Sequence, residues 1–190
     1  MPASPLAATV APPARTGRAD DVVAAARTVL ERDGAAGLTM QAVAYELGIK
    51  APSLYKHVTG KAAIEIELIG AALAEVGHVL HAALDRAERT GGHDAVAAVL
   101  AAYRRHALAH PNLYRLATAG RLPRDEPLAR LRDWACAPFV RLAGDEHRAD
   151  ALWAFAHGMV SLELDGRFPD GSDLNTAWAE GAAAFSRDRG

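Results

Sequence analysis

The stretch Leu38–Lys61, LTMQAVAYELGIKAPSLYKHVTGK, decides how the chain is read. Thr39 offers a hydroxyl suited to a helix N-cap, and Ala42, Val43 and Leu47 then recur on one face at helical spacing. Gly48 closes this short helix where a C-terminal cap wants a residue able to take positive φ. Ile49 is apolar and is expected to plug the turn into the core. Proline is tolerated in a helix only in the first turn, so Pro52 marks a new start. Leu54 and Val58 then face inward, Ser53, Lys56 and His57 face partly outward, and Gly60 ends the third helix. Two short helices, a glycine turn between them and a proline at the head of the second form a helix-turn-helix pattern.

The charge of this stretch is at odds with the rest of the chain. The whole sequence of 190 residues carries a formal net charge of −2. From Met1 to Lys61 there are seven Lys/Arg against five Asp/Glu, whereas the remainder has fourteen against eighteen. Between Glu46 and Glu65 no acid occurs, while Lys50, Lys56 and Lys61 all fall there. A local basic face on a mildly acidic body fits a small DNA-reading module attached to a larger helical domain, and argues against blanket coating of nucleic acid. In a helix-turn-helix the second helix enters the major groove, with its first residues at the base edges. Pro52 beside the small Ala51 presents an apolar surface for a thymine methyl, and the Ser53 hydroxyl can meet bases or phosphates. The lysines neutralise phosphates, and the Tyr55 hydroxyl can reach one while its ring packs on the module.

Outside this module the pattern is helical throughout. Val22, Val23, Ala26, Val29 and Leu30 define a first helix that begins near Asp20 and Asp21 and stops at Gly34 and Gly37. A long fourth helix runs from Lys61 towards Thr90-Gly91-Gly92. Further helices are expected over Asp94–Ala109, Leu113–Ala119, Leu128–Leu142 (interrupted by Pro138) and His147–Asp165, with a last one carrying Trp178 and Phe185. The eighth is apolar nearly all round, which implies burial on more than one side and another subunit as second partner. Trp178 and Phe185 suit either core or dimer surface. The expected fold is all-α with about nine helices and no repeats.

The ends and the single cysteine set further bounds. The Pro- and Ala-rich start, MPASPLAATVAPPARTG, reads as a disordered arm over residues 1–17, with Arg15 and Arg18 at its end. Its prolines and lack of early basic residues do not fit a signal peptide. No apolar run approaches the ~20 residues needed to span a bilayer, so a cytoplasmic protein is expected. The one cysteine, Cys136, permits no internal disulfide and reads as a small buried residue.

The motifs Gly37-Leu38-Thr39, Leu47-Gly48-Ile49 and Pro52-Ser53-Leu54-Tyr55-Lys56-His57-Val58 with Lys61 resemble the DNA-binding domain of the TetR family of transcriptional repressors, from about Arg18 to Ile69. The resemblance implies that Pro52, Ser53, Lys56 and Gln41 approach bases. It likewise implies that Tyr55, His57 and Lys61 hold phosphates and that Thr39 touches the DNA backbone as well as capping its helix. Lys50 stands where the family often has a Ser or Thr cap, and is read as a phosphate contact instead. Ala62 stands where the family often has an acid. His110–Leu116 (HPNLYRL) and Ala151–Gly158 (ALWAFAHG) resemble a subgroup with a Trp and a His-Gly in the eighth helix. This implies a C-terminal domain that dimerises through its last two helices and holds a small molecule.

Three units are therefore expected: the arm over 1–17, a helix-turn-helix domain over 18–62, and a helical ligand-binding and dimerisation domain over 63–190. Candidate ligand residues are Tyr103, His106, Trp134, Trp153 and His157. His106 and His110 have the i, i+4 spacing of metal ligands, but HALAH lacks the glutamate of a zinc protease motif, so no metal and no cofactor are assigned. His157 and Glu163 lie about 120° apart on a helix, which does not suit a catalytic pair. The sequence thus reads as a ligand-responsive repressor, a homodimer on a palindromic operator of double-stranded DNA, with no membrane partner. An enzyme that retains a helix-turn-helix, or a protein that coats DNA without sequence preference, is the alternative.

Overall fold

The computed structural model of the chain describes residues 17–91, 95–121 and 123–186. Among these it contains α1 Arg18–Gly37, α2 Met40–Glu46, α3 Ala51–Leu54, α4 Lys61–Arg89, α5 Ala95–Ala109, α6 Pro111–Thr118, α7 Glu126–Ala143, α8 Glu146–Leu164 and α9 Leu174–Ser186. The all-α architecture follows the sequence reading. The arm, apart from Gly17, lies outside the described residues, as do Asp94 and the side chain of Arg18.

Local chemistry explains most of the boundaries. Thr39 caps α2, its hydroxyl accepting from the Ala42 N–H at 3.1 Å. Asp125 and Asp145 cap α7 and α8 in the same way, accepting from Leu128 N–H and Arg148 N–H at 2.9 Å each. Gly34, at φ 70 and ψ −179, kinks α1 one turn before its end, a conformation open to glycine.

Two expectations change. The third helix is only the four residues Ala51–Leu54, after which the chain continues in turns with His57 N–H and Val58 N–H both donating to the Leu54 carbonyl. Lys50 supplies no side-chain acceptor for the first turn, and so short a helix is held by packing rather than by its own hydrogen bonds. The seventh helix runs through Pro138 instead of being interrupted there. Buried Ala135, Phe139 and Leu142 on either side hold it against the body and offset the missing N–H.

The apolar side chains form two cores, and α4 belongs to both. In the first, Val29 and Leu30 of α1, Val43 of α2 and Leu54 of α3 close on Ile64 and Leu68 from the start of α4. In the second, Leu80 and Leu84 from its later turns pack with Val99, Phe139, Leu152 and Trp178. Trp178 is buried and Phe185 packs against this second core, so both side chains pack within the subunit. Leu113 of α6 is buried in the first core although its helix is far along the chain. No helix among the described residues is long and apolar enough to cross a membrane.

Helix α7 approaches α4 at Gly77, where an added Cβ would come within 2.2 Å of the Trp134 ring. His81, one turn further along α4, stacks on the same ring with centroids 4.9 Å apart. Gly77→Ala is expected to lower the unfolding free energy by about 1–3 kcal/mol despite alanine's better helix propensity. Urea denaturation of the two proteins checks this, and an unchanged midpoint would show that the ring moves freely.

Candidate functional site

The first core presents one face of α2 and α3 to solvent. Leu54 is fully buried, and Leu47, Ile49, Ala51 and Val58 pack around it, so the turn between the helices is fixed from beneath. Gly48 takes φ 66 in that turn, and Ile49 N–H reaches the Ala44 carbonyl at 3.0 Å. Above this base Gln41, Lys50, Pro52, Tyr55, Lys56 and His57 are exposed, while Ala51, Ser53 and Lys61 are half-buried. Tyr55 is 57% exposed, so its ring does not pack on the module as expected. Tyr55 keeps right-handed helical dihedrals, φ −64 and ψ −10, and stands one residue on from the buried Leu54. The acid at the edge of this face, Glu46, accepts a hydrogen bond from Arg32 Nη1 at 2.9 Å, which offsets its charge. Lys61 donates to the Ala35 carbonyl at 3.1 Å and lies 3.6 Å from Glu65.

The sequence reading passed over Tyr45, which is 85% exposed at the end of α2 beside the recognition segment. Its position off the Ala42–Val43–Leu47 stripe was the available signal.

The five candidate ligand residues fall in three places. Tyr103, Trp153 and His157 share one cluster with Tyr114. The Tyr103 ring meets Tyr114 and Phe139 edge-on, at 6.1 and 5.9 Å between centroids. Trp153 stacks on His157 at 5.5 Å and remains 42% exposed. The Tyr114 hydroxyl lies 2.6 Å from His157 Nδ1, and the Tyr103 hydroxyl donates to that of Tyr114 at 3.4 Å. Burial pushes both phenols above the ordinary tyrosine range and holds His157 below the ordinary histidine range. A neutral His157 with a lone pair on Nδ1 accepts from Tyr114, which makes the three groups a relay of neutral hydrogen bonds. Trp134 lies elsewhere, against Gly77, His78 and His81.

His106 occupies the third place. Its ring meets that of His110 at 5.2 Å, and donor atoms of Glu75, His106 and His110 all lie within 4.8 Å of one another. The carboxylate of Glu75 also accepts from both terminal nitrogens of Arg27, Nη2 at 2.9 Å. Sequence spacing shows the histidine pair and cannot show Glu75, which comes from α4.

Glu163 does not serve His157. It accepts from Arg104 Nη2 at 2.7 Å and from the Trp178 indole at 3.2 Å, tying α5, α8 and α9 together. A groove of about 320 Å³ opens between α5 and α9 beside this network, lined by Leu100, Ala101, Arg104, Asn175 and Trp178. None of the five candidate ligand residues lines it. Alanines, Leu100 and Trp178 give its apolar wall, with Arg104 and Asn175 as polar groups.

A set of contacts joins the two cores. α6 has no side-chain cap from its own N-terminus, and Glu31 of α1 takes that role. Its carboxylate accepts from the Asn112 and Leu113 N–H groups at 3.2 and 3.0 Å, and Asn112 Nδ2 donates to the Glu31 carbonyl at 3.0 Å. The negative charge also suits the positive end of the helix dipole.

Residues 22–68 match the family described as bacterial regulatory proteins, tetR family, and residues 96–185 match a tetracyclin repressor-like C-terminal domain. An uncharacterized HTH-type transcriptional regulator of Mycobacterium tuberculosis is 34% identical, across 85% of this chain and 76% of that protein. A solved protein of unknown function from Rhodococcus sp. RHA1 superposes with TM-score 0.78 at 23% identity, covering 92% of this chain and 97% of its own. A TetR variant from Acinetobacter baumannii AYE in complex with minocycline superposes with TM-score 0.59 at 22% identity, covering 87% and 92%.

The depressed affinity of His157 for protons has a consequence for stability. The unfolded chain binds a proton at the ordinary histidine pKa of about 6.5, above that of the folded state. Stability from the neutral His157 is therefore complete above that value and is lost as pH falls through it. His106, also held low by burial, acts in the same direction. Between pH of about 7.5 and 5.5 the wild type should lose more unfolding free energy than His157→Gln. Denaturation at each pH measures this, and parallel losses would exclude His157 as a contributor.

Proposed function

The chain belongs to the TetR family of transcriptional regulators, and we propose that it acts as a homodimeric repressor, released from a palindromic operator when a small molecule binds. The observation that carries this reading is the acid-free face of Lys50, Pro52, Tyr55, Lys56 and His57, exposed on a proline-started helix above buried Leu54. In this reading residues 18–62 form the DNA-reading unit and residues 63–190 the unit that holds the ligand and the partner subunit. In this reading the protein works in the cytoplasm.

Pro52, Ser53, Lys56 and Gln41 meet base edges with Ala51 alongside. Lys50, Tyr55, His57 and Lys61 hold phosphates, and Thr39 adds a backbone contact. Tyr45 joins them, because it is exposed at the end of α2, just before the turn that leads to α3. Dimerisation runs through α8 and α9. Trp153 and Leu162 on α8 are 42% and 44% exposed, a cost that a second subunit would remove. Two-fold symmetry then sets the recognition helices about 34–36 Å apart for adjacent half-sites.

The effector enters the cluster of Tyr103, Tyr114, Trp153 and His157. The minocycline held by the Acinetobacter protein supports a small-molecule role for such a body and leaves the chemistry of this chain's effector open. A ligand there acts only through a difference in affinity between two spacings of the DNA heads. It would wedge the neighbours of α4 and swing the heads out of register.

Selection of bound duplexes from a random pool, at about 150 mM salt where non-specific binding is weak, tests the reading. Wild type is expected to enrich a palindrome and Tyr55→Ala to lose it. Recovery without a motif would overturn sequence-specific repression. On the selected operator, Lys56→Ala and Ser53→Ala separate two kinds of contact. Loss of a base contact at either position should cost about 1–3 kcal/mol and relax the preference at one base pair. Lys50→Ala should instead weaken all sequences alike and reduce the salt slope by about 0.9.

A further inference from the structure

Glu75, His106 and His110 converge from two helices at the seam between the cores. On α4, Glu75 lies between Ala72, buried in the first core, and Val76, packed on the second. His106 is in the last turn of α5, and His110 is the residue that joins α5 to α6. One helical turn separates them, with the His110 N–H donating to the His106 carbonyl at 3.1 Å. That bond fixes the two imidazoles on one side of the chain. The donor set is therefore two imidazoles and a carboxylate, each able to offer one atom, all within 4.8 Å.

We propose that Glu75, His106 and His110 bind a divalent transition-metal ion of the Zn²⁺ class, in competition with the Arg27–Glu75 ion pair. Two histidines and a carboxylate suit Zn²⁺ and its borderline neighbours, with a fourth position left for water or a donor atom of an effector. Tetrahedral bonds of about 2.0–2.2 Å need ligand atoms about 3.3 Å apart, so the side chains would close by at most about 1.5 Å. All three are half-buried.

The competition follows from charge. In the metal-free arrangement Glu75 is neutralised by Arg27 of α1 through two hydrogen bonds. A dication at Glu75 repels the guanidinium and takes the oxygen it uses. Binding the metal thus weakens a link between α1 of the DNA head and α4. Linkage makes the effect reciprocal: removing Arg27 must strengthen the metal site. The same event draws α5 and the α5–α6 corner towards α4, and α6 is the helix that Glu31 and Leu113 couple to the head.

Metal-free full-length protein titrated with Co²⁺, followed by visible absorption and native mass spectrometry, tests the site without DNA. One Co²⁺ per chain is expected, with a four-coordinate spectrum that Zn²⁺ abolishes. His106→Gln and His110→Gln should each weaken binding more than roughly tenfold, and Arg27→Gln should tighten it. Circular dichroism confirms that the variants fold. No bound Co²⁺, or binding that survives both histidine substitutions, would overturn the site. Affinity unchanged in Arg27→Gln would overturn the competition. A second arm rests on the repressor reading: Zn²⁺ should weaken operator binding by wild type and leave His110→Gln unaffected. Histidine-dependent Co²⁺ binding by a chain that selects no operator would uphold the site and refute the repressor reading instead.

Discussion

The structure depends on one helix serving two cores. α4 has 29 residues, roughly 43 Å of continuous rod. Its first turns place Ile64 and Leu68 under the DNA-reading module, and its later turns place Leu80 and Leu84 in the body. Neither core closes without it. A rod shared in this way transmits any tilt imposed on the body directly to the head. The contact of α6 with α1 makes the coupling a closed loop. Leu113 fills the first core and Glu31 satisfies the N–H groups that open α6, so head and body are joined at two points rather than one.

The DNA-reading face illustrates how little of its geometry is intrinsic. A four-residue helix is not stable alone, because nucleation costs more than so few hydrogen bonds return. Burial of Leu54, worth about 1.5–3 kcal/mol, and the packing of Ile49 and Val58 hold α3 in place. The exposed side chains above it are thereby free of structural duty. Basic, hydroxyl-bearing and aromatic residues can occupy positions where nothing in the fold requires them. Within the body the division is different. Arg104, Glu163, Trp178 and Asn175 spend their polar groups on each other, whereas His157 and its tyrosines keep theirs in a relay near the surface.

Most helix boundaries were legible because their causes lie within a few residues. Thr39, Gly48, Pro52 and Gly60 punctuate the module in order, and apolar spacing identifies the inward face of each helix. The misjudged points have local reasons too. Lys50 offers no side-chain cap, α3 is only four residues long, and Tyr55 stands exposed at its end. Pro138 does not stop α7, because burial on both sides compensates for one lost bond. The candidate site was legible only in part. The basic face is contiguous in sequence and so could be named residue by residue, but the ligand candidates could only be picked by residue type, and they separate into three places.

The sequence alone determined the all-α class, the helix-turn-helix and the family it resembles, because periodicity, caps and turn residues act over one or two helical turns. It also placed Lys56 and His57 outward from an inward Leu54, but not Tyr55 or Tyr45. Tertiary structure alone decided that Glu31 caps a helix far along the chain and that Trp134 lies on Gly77. It decided as well that His157 pairs with Tyr114 and that Glu75 stands between Arg27 and two histidines. These pairings join positions on different helices. Their distances depend on how α4 is packed by its neighbours, a quantity that no local pattern of residues encodes.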